Sequence, residues 1–186
     1  SDKSTTHQYH IIYSYIFNKL DRMSKLNILE IGLGTNNPNI VSSMGINGRP
    51  GASLLAFREY LPNSNIYGAD VDKDILFQAD RIQTCYVDQL NMKTFDELSN
   101  NFGNKKFDLI IDDGLHSIGA NFNTLLFALN NLNENGWIVI EDISTKTVNN
   151  WRSIDFILKS TQKYKTYVIF DNTAYLYVIN TQYCRI

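Results

Sequence analysis

The 186 residues suffice for one domain with a full core, and a hydrophobic content of 44% excludes a disordered polymer. Seventeen basic against nineteen acidic side chains leave a net charge of -2, which is no basic footprint for RNA or DNA. The two cysteines, Cys85 and Cys184, build no disulfide framework, and there is no signal peptide or apolar run of bilayer length, so a reduced, cytoplasmic setting is expected.

The chain opens at Ser1 without a Met, so its start reads as trimmed or as a tag remnant. Residues 1–25 hold one predicted helix, Tyr9–Leu20, with apolar side chains at helical spacing. Asn27–Ile31 is a strand that stops at Gly32-Leu33-Gly34. A long loop, Asn36–Gly51, carries three glycines and two prolines and leads into a helix over Ala52–Tyr60. Asn65–Ala69 is a second strand, Asp74–Arg81 a short helix and Thr84–Val87 a third strand. Phe95–Phe102 is helical, and Phe107–Asp112, "FDLIID", has the continuous apolar run of a strand buried on both faces. A helix over Asn121–Leu132 closes at "NENG", and "WIVIED" from Trp137 is a fifth strand. Ser153–Lys163 is a helix, and "TYVIF" and "AYLYVIN" are two strands joined at Asp171-Asn172.

This alternation predicts an α/β, Rossmann-like, doubly wound sheet of seven strands, parallel except for a C-terminal antiparallel hairpin. Ligands of such sheets sit beyond the carboxyl ends of the strands, at the switch point. Strand one ends in Glu30-Ile31-Gly32-Leu33-Gly34-Thr35, where glycines let backbone approach a ligand. The same pair also reads as a plain tight turn, and Asn36 stands where a dinucleotide fingerprint has its third glycine, which disfavours a pyrophosphate ligand such as NAD. Strand two ends in Asp70-Val71-Asp72, and a carboxylate there can accept both ribose hydroxyls of a nucleoside. Strand three ends in Asp88-Gln89, placed to read an adenine edge or to serve its own loop.

Strands four and five end in Asp112-Asp113-Gly114-Leu115-His116 and Glu141-Asp142. Four carboxylates at adjacent strand ends repel and raise one another's pKa values unless something compensates them. A hard divalent cation such as Mg²⁺ is the economical compensation, while helix caps and exposed acids are the alternative. His116, three residues past Asp113, is a candidate general base, since imidazole is the side chain suited to that role near neutral pH, though a solitary loop histidine is commonly just solvated. His7 and His10 read as surface residues, Cys85 as a buried strand residue and Lys105-Lys106 as a solvated turn.

"LEIGLGT", "GADVD", "DLIIDDGLH" and "GWIVIED", in this order and spacing, resemble the class I S-adenosylmethionine-dependent methyltransferases from Leu26 to Asn180. The Asp-Asp-Gly-x-His and Glu-Asp pairing resembles, more narrowly, the metal-dependent O-methyltransferases of macrolide sugars, and "GRPGASLLAFREYLPNSNIYGADVD" is similar to methyltransferases of bacterial polysaccharide biosynthesis. The resemblance implies one methyltransferase domain over 1–186. It puts Glu30, Gly32 and Gly34 at the methionine part of S-adenosylmethionine, Asp70 at the ribose, Asp88 and Gln89 at the adenine and Asp112 near the amino end, with Thr35 and Val71 also among the cofactor-binding residues. It further implies Asp113, Glu141 and Asp142 as Mg²⁺ ligands, with Asp113 and His116 catalytic and His116 the base. The expected acceptor is a sugar hydroxyl or other small molecule, with no nucleic acid partner, no membrane span and a possible homo-oligomer. The short stretch before Leu26 implies no substrate-capping domain. The loop 36–51 is expected to act as a lid over cofactor and acceptor. Rival readings are an NAD-type oxidoreductase, a metal-independent small-molecule methyltransferase, a non-catalytic partner subunit and an RNA methyltransferase, against which no N-P-P-[YF]-type motif follows strand four.

Overall fold

A computed structural model of the chain describes Lys3 and residues 7–181, so Cys184 lies outside the described residues. Eight strands form one sheet: β1 (Asn27–Ile31), β2 (Asn65–Asp70), β3 (Gln78–Ala79), β4 (Ile82–Tyr86), β5 (Phe107–Asp112), β6 (Leu132–Ile143), β7 (Tyr164–Phe170) and β8 (Tyr175–Thr181). Their spatial order is β3-β4-β2-β1-β5-β6-β8-β7. The five strands from β4 to β6 run parallel, and β8 pairs antiparallel with both β6 and β7. The C-terminal hairpin is therefore as expected, and the strand count is eight where seven were predicted. The order in which the chain adds strands reverses between β1 and β5, from one side of β1 to the other, which places the switch point beside Gly32 and Asp113.

Helices cover both faces. α1 (Tyr9–Leu20) and α2 (Ala52–Tyr60) bury Tyr9, Tyr13, Ile16, Phe17, Leu54 and Phe57 against Ile28, Ile66, Leu109, Ile111 and Val139. On the other face α3 (Met92–Asn101), α4 (Ile118–Asn131) and α5 (Val148–Ser160) pack on Leu29, Ile31, Tyr67, Ile110, Ile138 and Ile140. Neighbouring residues such as Ile28 and Leu29, or Ile110 and Ile111, go to opposite cores, as the two-residue period of a strand requires. Central strands of this kind have no polar face, which is why β5 reads as an unbroken apolar run.

Several boundaries differ from expectation. The predicted helix over Asp74–Arg81 is a single 3₁₀ turn, Lys73–Ile75, followed by β3. The Asp72 carboxylate accepts from Asp74 N–H and caps that turn. Phe77 N–H then donates to Thr84 Oγ1, so the segment turns back as an edge strand on β4. The third parallel strand starts two residues earlier than expected, at Ile82, and ends at Tyr86. α4 begins at Ile118, where the Ser117 hydroxyl accepts from Ala120 N–H. α5 starts five residues early, because burying Trp151 and Val148 against the sheet pulls an uncapped first turn into the helix. β6 begins at Leu132, and the "NENG" stretch forms its start with a register shift against β5.

Candidate active site

The strand ends at the switch point border a cavity of about 900 Å³. Gly32, at φ +92°, lets the end of β1 pass the end of β5: a Cβ there would lie 2.2 Å from the Asp113 carbonyl oxygen. Asp70 fastens this turn, its Oδ2 accepting from Leu33 N–H at 2.7 Å and its Oδ1 from Asp72 N–H at 2.9 Å. Each oxygen keeps a second lone pair for a ligand hydroxyl. Burial raises the Asp70 pKa, and the two backbone N–H bonds oppose the rise. Asn36 answers for the missing glycine: its amide donates to the carbonyls of Gly45 and Gly48, at 2.5 and 3.0 Å, and ties the long loop to its own base. Val41 and Ile46 stand exposed at the tips of that loop.

Of the residues singled out from the sequence, Gly32, Gly34, Asp70, Val71, Asp88, Gln89, Asp113, His116 and Asp142 line the cavity. Four do not: Glu30, Thr35, Asp112 and Glu141 are buried behind its wall. The Thr35 hydroxyl is taken by Asp72. Asp112, expected near a cofactor amino group, instead faces inward and accepts from Gln89 Nε2 at 2.8 Å and Asn121 Nδ2 at 3.0 Å. Burial raises its pKa against those bonds. Gln89 lines the wall, but its amide is engaged by Asp112, Thr124 and the Leu115 N–H, so it anchors the loop after β5 rather than presenting a free edge.

The expected metal set of Asp113, Glu141 and Asp142 is also rearranged. Asp113, His116 and Asp142 each offer one ligand atom within 4.8 Å of the others, and Glu141 is outside this group. His116 Nε2 lies 4.0 Å from Asp113 Oδ1 and 3.9 Å from Asp142 Oδ2. His116 and Asp142 both hold left-handed backbone, at φ +54° and +53°, a cost that turns their side chains toward one point. Two carboxylate oxygens on one side of open space suit a hard cation that keeps several waters, with the imidazole left for a proton.

Glu141, one residue before Asp142 on β6, points the other way. It accepts from the Tyr13 hydroxyl and from Lys3 Nζ at 2.6 Å. The Lys3 ammonium also reaches Asp113 Oδ2 at 2.7 Å and Glu30 Oε1 at 3.4 Å. Among the described residues one cation thus stands among three carboxylates. Burial opposes its charge, but Glu141, Asp113 and Glu30 outweigh that and hold its pKa well above the ordinary lysine value. Burial and the surplus negative charge push Glu141 and Glu30 upward despite Lys3.

Lys3, Tyr9 and Tyr13 were missed as site residues, and His7, expected on the surface, is largely buried. His7 Nδ1 lies 2.8 Å from Asp171 Oδ2, its Nε2 3.7 Å from Asp142, and its ring stacks on Tyr9. His10 is exposed as expected. Cys85 is half-buried in β4, and burial pushes its thiol up to about 12, so it is a structural thiol. Among the described residues no helix is long and apolar enough to cross a membrane.

No family model matches the chain. It is 32% identical over 143 residues to the 8-demethyl-8-(2-methoxy-alpha-L-rhamnosyl)-tetracenomycin-C 3'-O-methyltransferase of Streptomyces olivaceus, a match covering 75% of this chain and 33% of the relative. It is 36% identical over 97 residues to the mycinamicin VI 2''-O-methyltransferase of Micromonospora griseorubida, covering 51% of this chain and 23% of the relative. The chain thus spans at most about a third of the length of these two curated relatives. The MycE methyltransferase of the mycinamycin biosynthetic pathway, solved with Mg and SAH, superposes with a TM-score of 0.69 at 23% identity over 91% of this chain and 48% of that one. A putative ribosomal RNA methyltransferase from Plasmodium falciparum gives a TM-score of 0.64 at 18% identity, covering 94% and 95%, so fold likeness by itself does not choose an acceptor. The chain has the class I S-adenosylmethionine-dependent methyltransferase fold and resembles, in sequence, the macrolide-sugar methyltransferases.

Proposed function

We propose that this chain is an S-adenosylmethionine-dependent O-methyltransferase acting on a hydroxyl of a sugar or sugar-containing small molecule, assisted by Mg²⁺, with His116 as the base. The observation that carries the reading is the convergence of Asp113 Oδ1, His116 Nε2 and Asp142 Oδ2 on the wall of the cavity that begins at the Gly32–Gly34 turn. The named activities of the two curated relatives support it.

S-adenosylmethionine, when bound, supplies a sulfonium methyl group open to in-line displacement. The Gly32–Gly34 turn would lie along the cofactor, and Asp70 would accept its ribose hydroxyls. Asp113 and Asp142 are the carboxylates that would hold Mg²⁺, which supplies positive charge that lowers the proton affinity of an acceptor hydroxyl. His116 takes the hydroxyl proton at Nε2. The cavity walls would hold acceptor and methyl donor side by side, and positioning of this kind supplies several kcal/mol. Loop 36–51 closes over donor and acceptor as a lid, consistent with its exposed tips and tied base. A cytoplasmic enzyme without a nucleic acid partner fits this chemistry.

The deciding experiment is calorimetric titration of S-adenosylmethionine, and separately of NAD, with and without Mg²⁺. Micromolar binding of the first and none of the second is expected. Failure of both to bind refutes the reading and leaves a non-catalytic subunit of the same fold.

A further inference from the structure

Asp113 and Asp142 each turn one oxygen toward the N-terminal segment and the other toward His116; the Asp142 oxygen on the N-terminal side also has His7 Nε2 at 3.7 Å. Asp113 gives Oδ2 to the Lys3 ammonium at 2.7 Å and turns Oδ1 toward His116. Asp142 gives Oδ1 to the Tyr9 hydroxyl at 2.5 Å and turns Oδ2 toward His116. Both partners come from the segment Lys3–Tyr13, which lies 110 and 133 residues away in sequence. Tyr9 is itself held: its ring is buried and stacked on His7, and His7 is anchored by Asp171 and Thr173. A carboxylate on a strand end rotates freely about its last torsion unless one oxygen is tied. For Asp142 the left-handed backbone turns the side chain toward the cavity, and the Tyr9 bond holds the rotation of its carboxylate.

We propose that Tyr9, acting through Asp142, and Lys3, acting through Asp113, are positioning residues that aim one oxygen of each acid at His116. This deepens the metal and base assignment proposed above and rests on it for the identity of the ion. It also gives α1 a role beyond packing: the helix face toward the sheet carries Tyr9 and Tyr13, and each hydroxyl ends on a carboxylate of β6. Groups that orient metal-binding side chains from behind typically change metal affinity 10–100-fold when removed.

The test is Tyr9→Phe in the full chain. The substitution removes only the hydroxyl and keeps the buried ring, so the fold should survive, as a thermal melt will report. Two readouts are taken: Mg²⁺ affinity by calorimetry, and the ¹H–¹⁵N signals of the His116 ring in the metal-free protein. Mg²⁺ binding should weaken by about 10-fold or more, S-adenosylmethionine affinity should stay within about twofold, and the His116 signals should shift. Mg²⁺ affinity within about twofold of wild type, with unshifted His116 signals, overturns the proposal. So does an equal loss of both affinities, which would mean general damage. If wild type binds no Mg²⁺ while Tyr9→Phe moves the His116 signals, the positioning role stands and the metal assignment falls.

Discussion

Replacing Lys3 by Met removes the one ammonium that, among the described residues, faces Glu30, Asp113 and Glu141. The side chain is 9% exposed, and the carboxylate oxygens lie 3.4, 2.7 and 2.6 Å from Nζ. At an effective dielectric constant of about 20, each short pair carries on the order of 5 kcal/mol of gross attraction. Desolvation of the ammonium offsets most of that, and deleting one partner of a buried pair costs about 3–5 kcal/mol net. For a domain of this size the loss corresponds to a fall of roughly 6–20 °C in Tm. The loss depends on pH with a defined sign. Glu141 has a folded pKa raised above its unfolded value of about 4.3, and removing Lys3 raises it further. The folded state then binds more protons than the unfolded one, so stability falls as pH rises above about 4.3. Urea denaturation at pH 5 and pH 8 should therefore show Lys3→Met more destabilised at pH 8, and Lys3→Arg, which keeps the charge, should restore much of the difference. A loss below about 1 kcal/mol, or one equal at both pH values, would refute the account of Lys3 as the cluster's counter-ion.

Gly32→Ala should cost at least about 2 kcal/mol by thermal melt, since φ of +92° and a Cβ 2.2 Å from the Asp113 carbonyl oxygen combine backbone strain with a clash against backbone. His116→Ala should lower the methyl-transfer rate by on the order of 10²-fold in a steady-state assay with S-adenosylmethionine affinity kept, and an unchanged rate removes His116 from the chemistry. Asp113→Asn should abolish any Mg²⁺ dependence of that rate, and an active variant still stimulated by Mg²⁺ would count against Asp113 as a ligand. The bonds before Val41 and Ile46, both exposed in the 36–51 loop, should be protected from thermolysin when S-adenosylmethionine is added; unchanged cleavage argues against closure of the loop.

The alternation of apolar runs with helical spacing determined the layered sheet, and the residues at the carboxyl ends of its strands were legible as a set. The local pattern suffices there because a parallel sheet sends every loop of one edge to the same side. What it left open was direction. Glu141 and Asp142 are neighbours in a strand that alternates sides, and only the packed structure shows Glu141 turning into the core toward Tyr13 and Lys3 while Asp142, on left-handed backbone, turns into the cavity. Asp112 and Asp113 divide in the same way, one taken by Gln89 and Asn121, the other facing His116. The weak edge strand β3 and the early start of α5 escaped because their signals are tertiary: one pairs with β4, and the other buries Trp151. The approach of Lys3, His7 and Tyr9 to acids more than 100 residues away had no local signature at all. Such contacts are decided by where α1 docks on the sheet, and the docking is driven by burial of Tyr9, Tyr13, Ile16 and Phe17, a non-directional force that carries the polar partners along with it.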